Sequence, residues 1–226
     1  MCGRFTLTTS SSTLARFFGL PWVPDLTPRY NIAPTQPVPT LFVLTGDREF
    51  RFMRWGLVPS WAKDLHIGNR MINARAESVA EKPAFRAALR QRRCIVMADG
   101  FYEWDHKTQP KQPYRIGNRD ETPIGFAGLW EQWQPPQGGK VMESCTIITT
   151  EANELVAKLH DRMPVILEPK DYDPWLNPEV HEPERVLPLL RPFSAELMEA
   201  YPVSGYVNNP AHESPECCQR LQADKG

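Results

Sequence analysis

Five apolar residues in a row, Cys94-Ile95-Val96-Met97-Ala98, break off at Asp99-Gly100 and give way to Phe101-Tyr102-Glu103-Trp104. An uninterrupted apolar run of that length reads as a strand buried on both faces, which requires other strands around it. Gly100 permits a turn or bulge after it, and aromatics at alternating positions resume as a second strand. Further strands are predicted at residues 4–7, 114–116, 124–130, 144–150 and 165–167. A hairpin tip is expected at 109–112 and a turn at Pro135-Pro136-Gln137-Gly138-Gly139. Thr40-Leu41-Phe42-Val43-Leu44 and Phe50-Arg51-Phe52-Met53-Arg54-Trp55 read as a hairpin about Thr45-Gly46-Asp47, and the arginines of its second strand predict one basic face.

Helices are few and scattered among these strands. Thr9-Ser10-Ser11-Ser12 offers N-caps for a short helix over 14–18, stopped by Gly19 and Pro21. A second is expected near 83–92, with Phe85, Ala88 and Leu89 inward and Arg86, Arg90 and Arg93 outward. A third is predicted over 151–159, capped around Thr150 and delivering His160-Asp161-Arg162-Met163-Pro164. The recurring prolines from Pro21 to Pro39 read as an extended, ordered loop. Without repeats or a long linker, the pattern predicts the α+β class: a single domain on antiparallel β-sheets with peripheral helices.

Composition sets outer bounds. The 226 residues, 41% hydrophobic and 23% charged, are ordinary for a globular protein with a real core. No basic n-region precedes an apolar stretch and no apolar run is long enough for a bilayer, so a cytoplasmic protein without membrane association is expected. Five irregularly spaced cysteines with no C-x-x-C support neither a disulfide framework nor a metal site, and no cofactor motif is evident. The net charge of −1 conceals a segment at 48–93 with eleven Lys/Arg against four acids, balanced by an acidic stretch at 151–226. A local basic region is compatible with nucleic acid, and equally with solvated surface. Nothing in the sequence requires more than a monomer.

The opening Met1-Cys2-Gly3-Arg4-Phe5 carries the most distinctive chemistry. Removal of Met1 leaves a cysteine with an α-amine and a thiol on adjacent carbons, titrating near pH 8 and 8.5 when unperturbed. Such a 1,2-aminothiol attacks an amide through sulfur, or captures an aldehyde first as an imine and then as a thiazolidine. Asn73, Glu103 and His160 stand where regular elements end, a common place for catalytic groups. Each also has a structural reading, as a turn cap, a solvent-facing strand residue and a backbone-satisfied imidazole, and sequence does not bring them together.

Six segments recur together elsewhere: Met1-Cys2-Gly3-Arg4-Phe5, Tyr30-Asn31-Ile32-Ala33-Pro34, Trp55-Gly56-Leu57-Val58-Pro59-Ser60-Trp61, Ile72-Asn73-Ala74-Arg75-Ala76-Glu77, Ala98-Asp99-Gly100-Phe101-Tyr102-Glu103-Trp104 and His160-Asp161-Arg162-Met163-Pro164. In this order they resemble the SRAP-domain (SOS response-associated peptidase) family, most closely over 2–167, with 168–226 belonging to the same domain. The resemblance implies a distorted, barrel-like fold and a sensor of abasic sites in single-stranded DNA, cytoplasmic and nucleoid-associated on damaged DNA. It assigns covalent capture to Cys2, amine orientation to Asn73, proton shuttling to Glu103 and acid/base work to His160. It assigns phosphate contacts to Arg4, Arg75 and Arg162, and stacking or wedging against bases to Asn31, Pro34, Trp61 and Trp104. An arginine that some relatives carry about eight residues after Arg75 is Pro83 here. The word peptidase would be satisfied by autoproteolytic loss of Met1. The alternatives are an amidotransferase with an amino-terminal nucleophile, which lacks its Asn-Gly here, and a non-covalent single-strand binder.

Overall fold

The computed structural model describes residues 2–222, so Met1 and its removal, and residues 223–226, lie outside the described residues. The strands in chain order are β1 (Phe5–Leu7), β2 (Arg29–Ile32), β3 (Pro37–Val43), β4 (Arg48–Trp55), β5 (Asn73–Arg75), β6 (Arg93–Ala98) and β7 (Gly100–Asp105). After these come β8 (Gln112–Asn118), β9 (Ile124–Trp133), β10 (Met142–Glu151), β11 (Arg162–Pro164), β12 (Ile166–Leu167) and β13 (Met198–Pro202). One sheet runs β13-β8-β7-β1-β2. In the other, β10-β4-β3-β6-β9 closes on itself because β9 also pairs with β10. Closure removes the exposed edges that an open sheet of this size would present. The α+β expectation is met.

β6 contains the buried run recognised in the sequence: Cys94 to Ala98 are inaccessible and Arg93 is buried, between β3 and β9. At Asp99 the chain leaves the barrel, and β7 belongs to the other sheet. Gly100 leaves room there for the Arg115 guanidinium, whose carbon would stand 2.7 Å from an added Cβ, so a side chain at this position would have to push that group aside. β1 packs against the barrel, where the Phe5 ring meets Trp55 of β4 edge-on at 5.2 Å and Phe126 of β9 at 5.9 Å. Burying one such ring contributes about 1.5–3 kcal/mol, and it fixes the stretch immediately after Cys2 on the barrel.

The first helix, α1 (Ser11–Phe18), is capped by the Ser10 hydroxyl and terminated by left-handed Gly19. The second, α2 (Arg86–Gln91), buries Ala88 and Leu89 as its spacing requires. Arg93, expected outward, instead starts β6 buried, its guanidinium donating to the carbonyls of Leu89, Trp175 and Asn177. The proline-rich loop is shorter than expected, because β2 and the start of β3 form within it, ahead of the Thr40–Phe42 stretch that pairs with β6.

Two other expectations are corrected. The helix over 151–159 is reduced to one turn at Val156–Lys158, because β10 continues through Glu151 in register with Arg162 of β11. Asn153 Oδ1 then accepts from the Leu155 and Val156 amides and starts the short turn. The basic face of β4 does not exist either: Arg51 and Arg54 stand at odd and even positions and point to opposite sides. Arg51 is also neutralised by Glu49 and Glu143, at 2.9 and 2.6 Å.

Candidate active site and nucleic-acid interface

Cys2 lies fully buried just ahead of β1. Its carbonyl accepts a 2.8 Å hydrogen bond from Asn73 Nδ2 of β5, while Asn73 Oδ1 is buried with no hydrogen-bond partner among the described residues. β1 and β7 pair antiparallel, Phe5 opposite Phe101, and the Tyr102 amide donates to the Arg4 carbonyl. Continued by two residues, this register sets Glu103 beside Gly3. Burial pushes the Cys2 thiol up, and the Glu103 carboxylate adds to the rise, so the sulfur is a neutral thiol at physiological pH.

Burial raises Glu103 to about 7, with Asp161 contributing in the same direction. A folded value above the ordinary 4.5 means that the carboxyl costs nothing below pH 4.5, and costs stability as pH rises through about 7. The full cost is on the order of 3 kcal/mol. Glu103→Gln is therefore expected to unfold at higher urea than the parent at pH 8 and at the same urea at pH 4.5. Equal midpoints at both pH values would contradict the raised carboxyl.

His160 enters from the turn ahead of β11. The Arg162 amide donates to its Nδ1 at 3.0 Å, and the Asp161 carboxylate lies 2.8 Å from the same nitrogen. Nδ1 thus faces a donor and an acceptor at once, and the protonated ring finds Asp161 ready to accept from it. Burial lowers the ring's pKa, outweighing Asp161. Cys2, Asn73 and Glu103 are thus gathered in one place, and Asp161, the partner of His160, is near enough to Glu103 for its charge to be felt there.

The proposed DNA contacts divide into two groups. Trp61 stands 60% exposed on the loop after β4, Arg75 is exposed at the end of β5, and Pro34 is half-buried in the turn before β3. The others are already engaged. Asn31 is fully buried, its amide donating to the Val207, Asn209 and His212 carbonyls and its Oδ1 accepting from Arg4, so it is no stacking residue. Arg4 also donates to the Val207 and Asn208 carbonyls, and Trp104 Nε1 to Asn208 Oδ1. Arg162 is held in a fork by Glu77, at 3.2 and 3.0 Å, and donates to the Thr149 carbonyl. The segment 203–213 therefore forms one wall beside Arg4, Asn31 and Trp104.

Asp99, where the apolar run breaks off, is the clamp of the N-terminal strand. Its carboxylate accepts from the Thr6, Thr8 and Thr9 hydroxyls and the Thr8 and Thr9 amides, and lies 3.3 Å from Arg115. A lone acid directly after five apolar residues was the available signal, since a buried carboxylate demands partners.

Among the described residues no helix is long and apolar enough to cross a membrane, and no cluster of three or more His, Cys, Asp or Glu could hold a metal ion. A buried cysteine ahead of a strand packed on the barrel, with an asparagine on its carbonyl and a raised carboxyl alongside, marks the amino terminus as the candidate active site. The chain belongs to the SRAP family, whose description, SOS response associated peptidase, matches residues 1–210. It is 46% identical to the abasic site processing protein YoqW of Bacillus subtilis, over 96% of this chain and 98% of that one. It is 33% identical to the abasic site processing protein HMCES of Xenopus tropicalis, over 84% of this chain and 65% of that one. A crystal structure of a Bacteroides thetaiotaomicron protein superposes with a TM-score of 0.87 at 28% identity, covering 98% of this chain and all of that one.

Proposed function

We propose that the protein senses abasic sites in single-stranded DNA and captures them covalently through Cys2 after loss of Met1. The α-amine attacks C1′ of the ring-opened deoxyribose, and loss of water from the carbinolamine gives an imine. The thiol then adds across the C=N bond, sulfur to carbon and its proton to nitrogen, closing a thiazolidine. Because both nucleophiles sit on one residue, closure is intramolecular, where effective molarities of roughly 10⁵ M or more are reached in good geometry.

The observation that carries this reading is the hydrogen bond from Asn73 to the Cys2 carbonyl with Oδ1 left over, an acceptor suited to orient the α-amine. A thiol kept neutral by burial favours amine-first attack and disfavours the sulfur-first chemistry of an amidotransferase. Glu103, at about 7, both accepts and returns a proton at neutral pH, as imine formation requires. His160 serves as acid. Arg75 and Arg162 hold flanking phosphates, Arg162 by exchanging Glu77 for phosphate, and Arg4 holds one with its remaining donors. Trp61, Pro34 and Trp104 meet bases, and Asn31 acts by holding the wall at 203–213. The names of YoqW and HMCES support abasic-site processing as the task. The chain acts as one cytoplasmic domain, monomeric and without cofactor, and its peptidase activity is confined to exposing Cys2.

The test is a single-stranded oligonucleotide with one abasic site, incubated with mature protein, boiled in detergent and resolved for a shifted band. Absence of a heat-stable adduct overturns the reading. A matched protein retaining Met1 or bearing an amino-terminal tag is expected to lose crosslinking while its non-covalent affinity, measured by anisotropy, changes little. Crosslinking by a tagged form as fast as the mature one would refute the α-amine's role.

A further inference from the structure

On the outer wall of the barrel lies a groove of about 750 Å³ that the proposed capture does not use. Its rim begins at Thr35, the residue after Pro34, and at Pro37. Its far side is Met142, which packs with Val58, Ala62 and Trp133 beneath the loop that presents Trp61. The groove therefore runs between two of the elements proposed to meet DNA. Along β10, Arg54 of its floor pairs opposite Ser144 and Asn73 of the capture site opposite Ile147. Three residues of one strand, about 10 Å, separate the two positions.

Its chemistry suits an unpaired nucleotide. Phe52 is 51% exposed, and its ring is braced edge-on by Phe50 at 5.3 Å, so one face is offered to a flat partner with little freedom left to lose. Arg54 and Lys140 line the same groove. Among the described residues neither is paired with a carboxylate, and Arg54 is oriented by the Asn69 side chain and the Gly56 carbonyl. The one acid in the lining, Glu143, is spent on Arg51 at 2.6 Å. An exposed aromatic with two uncompensated cations is the arrangement by which proteins hold single strands, base on ring and phosphate on cation.

We propose that this groove is a second nucleotide subsite, taking a base of the lesion-bearing strand against Phe52 and the adjoining phosphate between Arg54 and Lys140. The subsite rests on the abasic-site reading and extends it from a single residue to a stretch of strand.

Two single-stranded oligonucleotides test it, each with a central abasic site, one of about three nucleotides, too short to carry a base to the groove, and one of about fifteen, near the upper end of single-strand site sizes. Binding is measured by anisotropy with an uncleavable, ring-closed abasic analogue, and crosslinking with the true lesion. Phe52→Ala is expected to weaken binding of the longer strand roughly five- to hundred-fold. It should leave both binding and crosslinking of the short strand unchanged, which also reports that the variant is folded. Replacing Arg54 and Lys140 together by glutamine should lower the salt slope for the longer strand by about 0.7, the value for one phosphate. If Phe52→Ala binds the longer strand as tightly as the parent, the subsite is wrong while the capture chemistry, read from the short strand, stands. If it weakens a lesion-free duplex equally, the groove holds duplex and the stacking assignment falls. If the parent protein crosslinks neither strand, the abasic-site reading itself has failed, and the subsite with it.

Discussion

Cys2→Ala is expected to form no heat-stable adduct with abasic single-stranded DNA, a complete loss against the parent protein. The substitution keeps the α-amine and removes only the sulfur, so the first step survives and the closing step does not. An imine is in equilibrium with water and free aldehyde, and boiling in detergent returns it to its components. Borohydride added during the incubation should therefore trap Cys2→Ala on the DNA as a secondary amine, giving a band that appears only with reductant. The pair of measurements orders the two nucleophiles. A heat-stable adduct of Cys2→Ala with thiazolidine mass would end the mechanism, and failure to trap with borohydride would show that sulfur leads. The order also follows from burial: the Cys2 side chain is inaccessible, which keeps the thiol protonated until an electrophilic carbon is already beside it.

The second large effect is on stability. Asp99→Ala is expected to destabilise the fold by about 3–5 kcal/mol, because it leaves the Arg115 guanidinium buried without its counter-charge and orphans the Thr8 and Thr9 amides. That is a large share of the stability of an ordinary domain. Burial alone would raise Asp99, but hydrogen bonds from Thr6 and Thr8 and the charge of Arg115 outweigh it and hold the carboxyl below its usual range. Its contribution is thus fully present above the unfolded value near pH 4 and is lost as pH falls through the lower folded value. Urea unfolding at pH 7 should show the difference in full, and the gap between parent and variant should narrow toward pH 2. An unchanged midpoint at pH 7 would mean that the clamp is dispensable. The effect should reach capture as well, since the clamp holds Thr6, Thr8 and Thr9 around β1, and β1 is what holds Cys2.

The parts legible in the sequence were those decided by neighbours along the chain. The run ending at Ala98 could only be a buried strand, and alternating aromatics after Gly100 could only continue into another. Cys2, Asn73 and Glu103 were found because their residue types suit a chemistry and their surrounding segments recur together. What escaped was decided by partners far away in sequence. Residues 151–159 carry helical spacing, yet pairing of Glu151 with Arg162 keeps the chain extended. Asn31 looked like a base contact, and only the carbonyls of Val207, Asn209 and His212, some 180 residues later, reveal it as a buried tether. Arg93 was assigned to solvent by helical periodicity and turns out to cap carbonyls in the interior. A guanidinium looks the same in sequence whether it stands exposed, as Arg75 does, or already grips a carboxylate, as Arg162 does.

Arg4 and Asn31 are tied to residues 207–212, and β1 to β7 near position 100. Translation makes the chain in the opposite sense to this dependence: residues 2–7 leave the ribosome well ahead of 207–212. The contacts that hold Arg4 form only once residues some 200 positions later have been made, so the amino-terminal strand is the first part of the fold to be made and among the last to be fixed in place.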